Sequence, residues 1–172
     1  STFDHSLRTL ENILDSTKES ISHLIYLSSS MVYGNFKDQE VNEQSTCDPL
    51  GIYGALKFAG EKIVIAYNQV FDLPYTIIRP SALYGERCVS RRIGQVFIES
   101  ALHGQEIFID GEGEEKLDFT YIEDLVSGIG LCCEKDNAKN QIFNLTYGHS
   151  RKISELTEIL KQEFPEIKIF YK

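Results

Sequence analysis

His23-Leu24-Ile25-Tyr26-Leu27, closed by Ser28-Ser29-Ser30, is an apolar run of strand length with a polar stop. Apolar and polar residues do not alternate in it, so it reads as a strand buried on both faces, the kind found in parallel sheets. Upstream, Leu7, Leu10, Ile13 and Leu14 recur at helical spacing, with Asp4, Arg8, Glu11 and Lys18 on the other side. That pattern predicts a helix with one face in a core. Downstream, Asp48-Pro49 opens a long helix over residues 50–71, with proline in the first turn and the acid at the positive end of the helix dipole. Its apolar residues wrap more than one face, which implies burial on two sides. Leu73-Pro74 ends it, and Tyr75-Thr76-Ile77-Ile78 supplies a β-branched strand that stops at Arg79-Pro80. Helix, strand, helix, strand is the order of an α/β fold.

The remainder is less regular. A polar segment follows residue 80, then a helix over 93–102, a strand over 106–109 and a Gly111-Glu112-Gly113 turn. A strand over 116–121, a helix over 123–133, a short strand over 141–145, a helix over 152–164 and a last strand over 167–171 complete the expected order.

Composition narrows the function classes. The 172 residues, 42% hydrophobic and 25% charged, suit one globular domain or slightly more. With 17 Lys+Arg against 26 Asp+Glu the net charge is -9, which speaks against a nucleic-acid partner. Apolar stretches such as Ile63 to Tyr67 are far shorter than the roughly 20 residues needed to cross a bilayer, so no membrane span is expected. Asp4, Arg8 and Glu11 stand where a secretion signal would need apolar residues. Cys47, Cys88, Cys132 and Cys133 form no Cys-x-x-Cys pair, and the four histidines are scattered, so neither a zinc site nor a disulfide framework is expected. Cys132 and Cys133 sit in an apolar run and read as small buried hydrophobes. A reducing cytoplasm is the expected setting. The chain opens at Ser1, and its first segment already reads as a helix, which suggests a fragment.

The chemistry concentrates where the first strand meets the long helix. Tyr53 and Lys57 stand at i and i+4, on one helical face. An ammonium one turn away favours a phenolate and makes the tyrosine oxygen usable as a general acid or base. Ser29, at the end of the preceding strand, is placed to hold the substrate oxygen that exchanges its proton with Tyr53.

Four segments arrive in one order: Ser28-Ser29-Ser30-Met31-Val32-Tyr33-Gly34; Tyr53-Gly54-Ala55-Leu56-Lys57 with Glu61; Arg79-Pro80-Ser81-Ala82-Leu83-Tyr84-Gly85; and Asp118-Phe119-Thr120-Tyr121-Ile122-Glu123-Asp124-Leu125. Together they resemble the extended short-chain dehydrogenase/reductases, the NAD-dependent epimerase/dehydratase family, over essentially the whole chain. The resemblance implies a partial Rossmann-like parallel sheet, its first strands missing, plus a small α/β substrate lobe. Residues 1–85 would form the C-terminal portion of the dinucleotide-binding domain. Residues 86–172 would form the substrate lobe, with elements returning to the Rossmann domain. By the same resemblance Ser29 is the catalytic hydroxyl, Tyr53 the acid/base, and Lys57 the residue that binds the nicotinamide ribose. Pro80 would lie beside the cofactor, and Ser29, Ser30, Ser81 and Arg87 beside the substrate. Asp118, Tyr121 and Asp124 read as a capping acid and packing aromatics and are assigned no chemistry. A homodimer through the 50–71 helix is expected, because family members commonly pair the helices flanking the catalytic strand.

Three departures shape the expectation. The family's glycine-rich fingerprint is absent: Gly111-Glu112-Gly113 has no third glycine and no following helix, and Gly128-Ile129-Gly130 lies inside a helical pattern. The chain therefore resembles the later half or more of a family member, and NAD or NADP would bind it weakly or not at all as it stands. Ala82 replaces an asparagine common in nucleotide-sugar members, and Leu117 replaces an arginine that clamps the sugar-nucleotide diphosphate, with Lys116 on the opposite strand face. Arg87, Arg91 and Arg92 are alternative sources of positive charge. Ser30 and Met31 occupy the positions where dehydratases carry an Asp-Glu pair, which favours nucleotide-sugar epimerisation or carbonyl reduction over dehydration. The other function class is a catalytically silent fragment or assembly module that keeps the fold without the cofactor site.

Overall fold

The computed structural model describes residues 2–35, 40–88 and 91–172. Ser1, on which the fragment expectation draws, lies outside them. Two compact units emerge: Ser1–Pro80 with Leu125–Leu145, and Ser81–Asp124 with Thr146–Lys172.

The first unit is built on a parallel sheet of β1 (Leu24–Leu27), β2 (Tyr75–Ile78) and β6 (Gln141–Phe143), in the order β1-β2-β6. Leu24 pairs with Tyr75 and Leu27 with Ile78, while Thr76 pairs with Gln141. Parallel neighbours need a crossover, and the helix α2 (Gly51–Phe71) supplies the one between β1 and β2. Every residue of β2 is buried, as expected of a central strand of branched residues. β1 corrects the expectation of full burial. It is half-buried, with Leu27 44% exposed, because only β2 pairs with it among the described residues.

Helix α1 (Thr9–Thr17), preceded by a π-helical turn at Asp4–Arg8, buries Leu10 and Leu14 against Val64 of α2 and Tyr75 and Ile77 of β2. Ile13, expected on that buried face, is exposed. α2 begins one residue after its extended N-cap Leu50, so Pro49 precedes the helix rather than occupying its first turn. It ends at Asp72, whose left-handed φ of 55° turns the chain and whose N–H reaches Asn68. Its apolar wrap is not buried all round, since Ile52, Val70 and Phe71 lie open.

The second unit holds the sheet β3 (Ala82–Tyr84), β5 (Lys116–Tyr121) and β7 (Ser150–Lys152), and a pair of β4 (Ile107–Ile109) with β8 (Ile169–Tyr171). β3 runs parallel to β5 and β7 antiparallel to it. Helices α3 (Ile93–Leu102) and α5 (Ile153–Glu163) bury Phe97, Ala101, Ile153 and Leu160 with Ile107 and Ile109. β3 and β7 are additions to the expected order; residues 82–84 had read as a polar segment. Between the units in sequence runs α4 (Ile122–Glu134), where Cys132 is buried as expected and Cys133 is exposed.

Candidate functional site

β1 and β2 end side by side. Ser28 N–H donates to the Ile78 carbonyl at 2.7 Å and Ser30 N–H to that of Pro80 at 2.9 Å, so the pairing continues past the strands and Ser29 is held between two rungs. Ser29 is extended, caps a 3-10 turn over Ser30–Tyr33, and accepts the Met31 N–H on Oγ at 3.2 Å, leaving its own O–H to donate. The residue lies at the carboxyl edge of the parallel sheet, where open α/β folds bind ligands.

Two glycines let α2 close on this turn. Gly34 has φ 69°, and a Cβ there would stand 2.0 Å from the Asp48 carbonyl oxygen, so only glycine lets the segment before α2 lie against the turn. Gly54 is buried in the first turn of α2, where a Cβ would meet the Met31 carbonyl oxygen at 2.6 Å. Backbone meets backbone between the turn that follows Ser29 and the helical turn that carries Tyr53.

Tyr53 is 48% exposed. The Lys57 ammonium lies 5.8 Å from the centre of its ring and 5.5 Å from that of Tyr26, and donates to the Leu27 carbonyl at 2.8 Å. Burial holds the Lys57 pKa below its ordinary value. Three tyrosines surround this corner, and their settings differ. Burial, with the charges of Glu61 and Tyr53, pushes Tyr26 up to about 12. Burial also raises Tyr33, against the hydrogen bonds and charge of Arg79. Of the three, Tyr53 is exposed, Tyr26 half-buried and Tyr33 buried.

Pro80 stands half-buried at the end of β2, its carbonyl taken by Ser30, and Ser30 opens the 3-10 turn. The structure thus gathers Ser29, Ser30, Tyr53, Lys57 and Pro80 in the first unit. Ser81 and Arg87 belong to the second. There Arg87 has φ 62° and, with Arg92, Tyr84 and Ile122, lines a pocket of about 200 Å³. Asp118 accepts the N–H groups of Tyr147 at 3.0 Å and Gly148 at 2.8 Å, and Tyr121 stacks at a tilt on Tyr84. Both therefore organise the second unit.

Sequence reasoning missed a buried polar cluster directly beneath the site. Glu61 accepts Ser28 Oγ–H on Oε1 at 2.5 Å and is clamped by Arg79 through Nε at 2.9 Å and Nη2 at 2.7 Å. The two side chains are 1% and 3% exposed. Arg79 Nη1 also donates to Tyr33 Oη at 2.8 Å and lies over its ring, and Tyr33 donates to Asn144 at 2.8 Å. Burial works against the Arg79 charge, but the bonds from Glu61 and Tyr33 outweigh it and raise the pKa further. The available signal was Glu61 itself, a carboxylate eight residues after Tyr53 on the same helical face, with an arginine closing the next strand.

Residues 1–146 match the model of the NAD dependent epimerase/dehydratase family, and the chain belongs to that family. A putative UDP-glucose 4-epimerase of Methanocaldococcus jannaschii is 32% identical over 157 residues, covering 88% of this chain and 50% of its own length. An uncharacterized UDP-glucose epimerase of Bacillus subtilis is 30% identical over 158 residues, covering 91% of this chain and 50% of itself. Among solved structures, the UDP-glucuronic acid 4-epimerase of Bacillus cereus in complex with UDP-glucuronic acid and NAD superposes with a TM-score of 0.90 at 25% identity, over 96% of this chain and 54% of that one. The α/β architecture with its parallel sheet is that of these enzymes. The chain spans about half the length of the curated relatives it matches. Among the described residues no helix is long and apolar enough to cross a membrane.

Proposed function

We propose that this chain is the acid/base half of a nucleotide-sugar epimerase or carbonyl reductase, with Tyr53 as the general acid/base. The observation that carries the reading is the Lys57 ammonium 5.8 Å from the Tyr53 ring, on the turn of α2 that abuts the Ser29 loop at the carboxyl edge of the sheet. In the proposed reaction the Tyr53 oxygen takes the proton of a sugar hydroxyl, and Ser29 Oγ–H holds the same substrate oxygen. NAD, when bound, supplies the chemistry of accepting a hydride and returning it.

The residues present fit the nicotinamide end of that cofactor. Lys57 spends one of its three N–H donors on the Leu27 carbonyl, and the other two suit the hydroxyls of a ribose. Its ammonium, 5.8 Å from the centre of the Tyr53 ring, brings positive charge beside the proposed acid/base. Pro80, between the two strand ends, borders the same edge. A glycine-rich pyrophosphate cradle would come from the portion of the relatives' length that this chain does not span, its strand adding to the edge of β1 that is unpaired among the described residues. Residues 1–85 then contribute the C-terminal portion of the dinucleotide-binding domain and residues 86–172 the substrate lobe, and Ser81 and Arg87 are the proposed contacts to the nucleotide sugar. NADP in place of NAD is decided in that further portion. A silent assembly module is the competing reading, favoured by the lack of the fingerprint in this chain. Turnover of a nucleotide sugar by the full-length protein, as C4 epimerisation or as NAD(P)H-dependent reduction of a keto sugar, decides between them.

The setting proposed is the cytoplasm, and the assembly a homodimer. Ile52 and Val70 of α2 are 73% and 70% exposed, and Phe3 and Ile13 are also open, apolar side chains that a second copy would cover. Light scattering should give twice the protomer mass. A monomer at high concentration, with those side chains solvated, removes the proposal.

A further inference from the structure

Tyr53, Lys57 and Glu61 follow one another at intervals of four on α2 and so share one face of the helix. The first two meet the corner where chemistry is proposed. The third is fully buried one turn further along and is bonded to Ser28, the residue next to Ser29. One carboxylate therefore references both halves of the site: α2 through its own backbone, and the Ser29 loop through the Ser28 hydroxyl. Arg79 fixes the carboxylate by two parallel N–H bonds, a geometry that leaves little rotational freedom. Through Nη1 the same guanidinium holds Tyr33, at the far end of the 3-10 turn. Ser29 thus sits in a short segment pinned at residue 28 from one side and at residue 33 from the other, by a single ion pair.

We propose that Glu61 is a positioning residue of the site, its carboxylate, shared between Ser28 and Arg79, setting where Ser29 stands relative to Tyr53 and Lys57. This rests on the acid/base reading of Tyr53. Surface ion pairs elsewhere, such as Arg8 with Asp4, touch no part of this corner. A buried pair is a costly way to gain stability, since well-packed apolar residues often do as well, whereas it is an effective way to fix one arrangement of three backbone segments.

The test uses the full-length protein carrying this chain, with E61Q, S28A and the double variant. For each, kcat and KM for the nucleotide sugar are measured alongside amide hydrogen exchange of residues 29–34. E61Q should lower kcat by about tenfold to a hundredfold, the scale of a displacement of about 1 Å, with KM nearly unchanged. S28A, which leaves the ion pair in place, should lower kcat by a few fold, and in the double variant the two effects should not add, because both act on the one Ser28–Glu61–Arg79 link. Exchange at 29–34 should quicken in each. Full kcat in E61Q together with unaltered exchange, even with a lowered Tm, would leave the pair purely structural and overturn the proposal. If E61Q does not fold, S28A decides by the same two readouts. If the wild-type protein converts no nucleotide sugar, the acid/base reading falls, and exchange at 29–34 in S28A still decides whether the link places Ser29.

Discussion

Tyr53→Phe in the full-length protein should lower turnover by about a hundredfold or more while leaving the fold as stable as before. The loss is the usual scale for removing a general acid or base. The unchanged stability follows from location: the ring is 48% exposed in the first turn of α2, and substitutions at such surface positions stay within about 0.5 kcal/mol. The pairing of a large catalytic effect with a negligible structural one distinguishes Tyr53 from Tyr26 and Tyr33, whose half-buried and buried rings pack the same corner. Turnover is read by steady-state kinetics with NAD present and stability by urea unfolding. Near-normal turnover would mean that another group moves the proton.

Arg79→Met should act on stability as well as on the site, destabilising the chain by about 3–5 kcal/mol, the cost of leaving a buried charge without its partner. Glu61, 1% exposed, would keep only the Ser28 hydroxyl as a donor. Against a typical total of about 5–15 kcal/mol this is a third or more of the stability. It should appear as a fall in the urea midpoint at constant m. The exposed pair Arg151 with Glu155, at 58% and 42%, provides the contrast: breaking it should cost less than about 1 kcal/mol. Replacing both buried partners with apolar residues should recover part of the loss, because no uncompensated charge remains. A change within 1 kcal/mol for Arg79→Met would show that water or another donor takes over the carboxylate.

The elements that sequence pattern places well are those whose patterns are local. Tyr75–Ile78 is a β-branched run between two prolines, and Ile93–Leu102 and Lys116–Tyr121 have a helical and a strand pattern of their own. β3 and β7 escaped because what makes them strands is β5 beside each of them, and Ser150-Arg151-Lys152 has no strand character of its own. β1 read as doubly buried from its composition, yet burial depends on a neighbour on each side, and the described residues supply one. At the site the i, i+4 relation of Tyr53 and Lys57 is a property of any helix, so it was legible. That Leu27 would take a hydrogen bond from Lys57, or that Glu61 would meet Ser28 and Arg79 across distances of 33 and 18 residues, is decided only when helix and strands pack. The two glycines that permit that packing, Gly34 and Gly54, stood in the quoted motifs without their steric reason being visible there.

In the epimerase form of the proposal the full-length protein, with NAD, inverts a sugar carbon by removing and returning hydride. Proton NMR of a UDP-hexose incubated with it reads this directly. The expected result is a growing signal from the C4 epimer up to an equilibrium mixture, with no stoichiometric build-up of reduced cofactor absorbance, since the cofactor is regenerated in each cycle. A UDP-hexose returned unchanged by a folded, NAD-bound protein would contradict epimerisation.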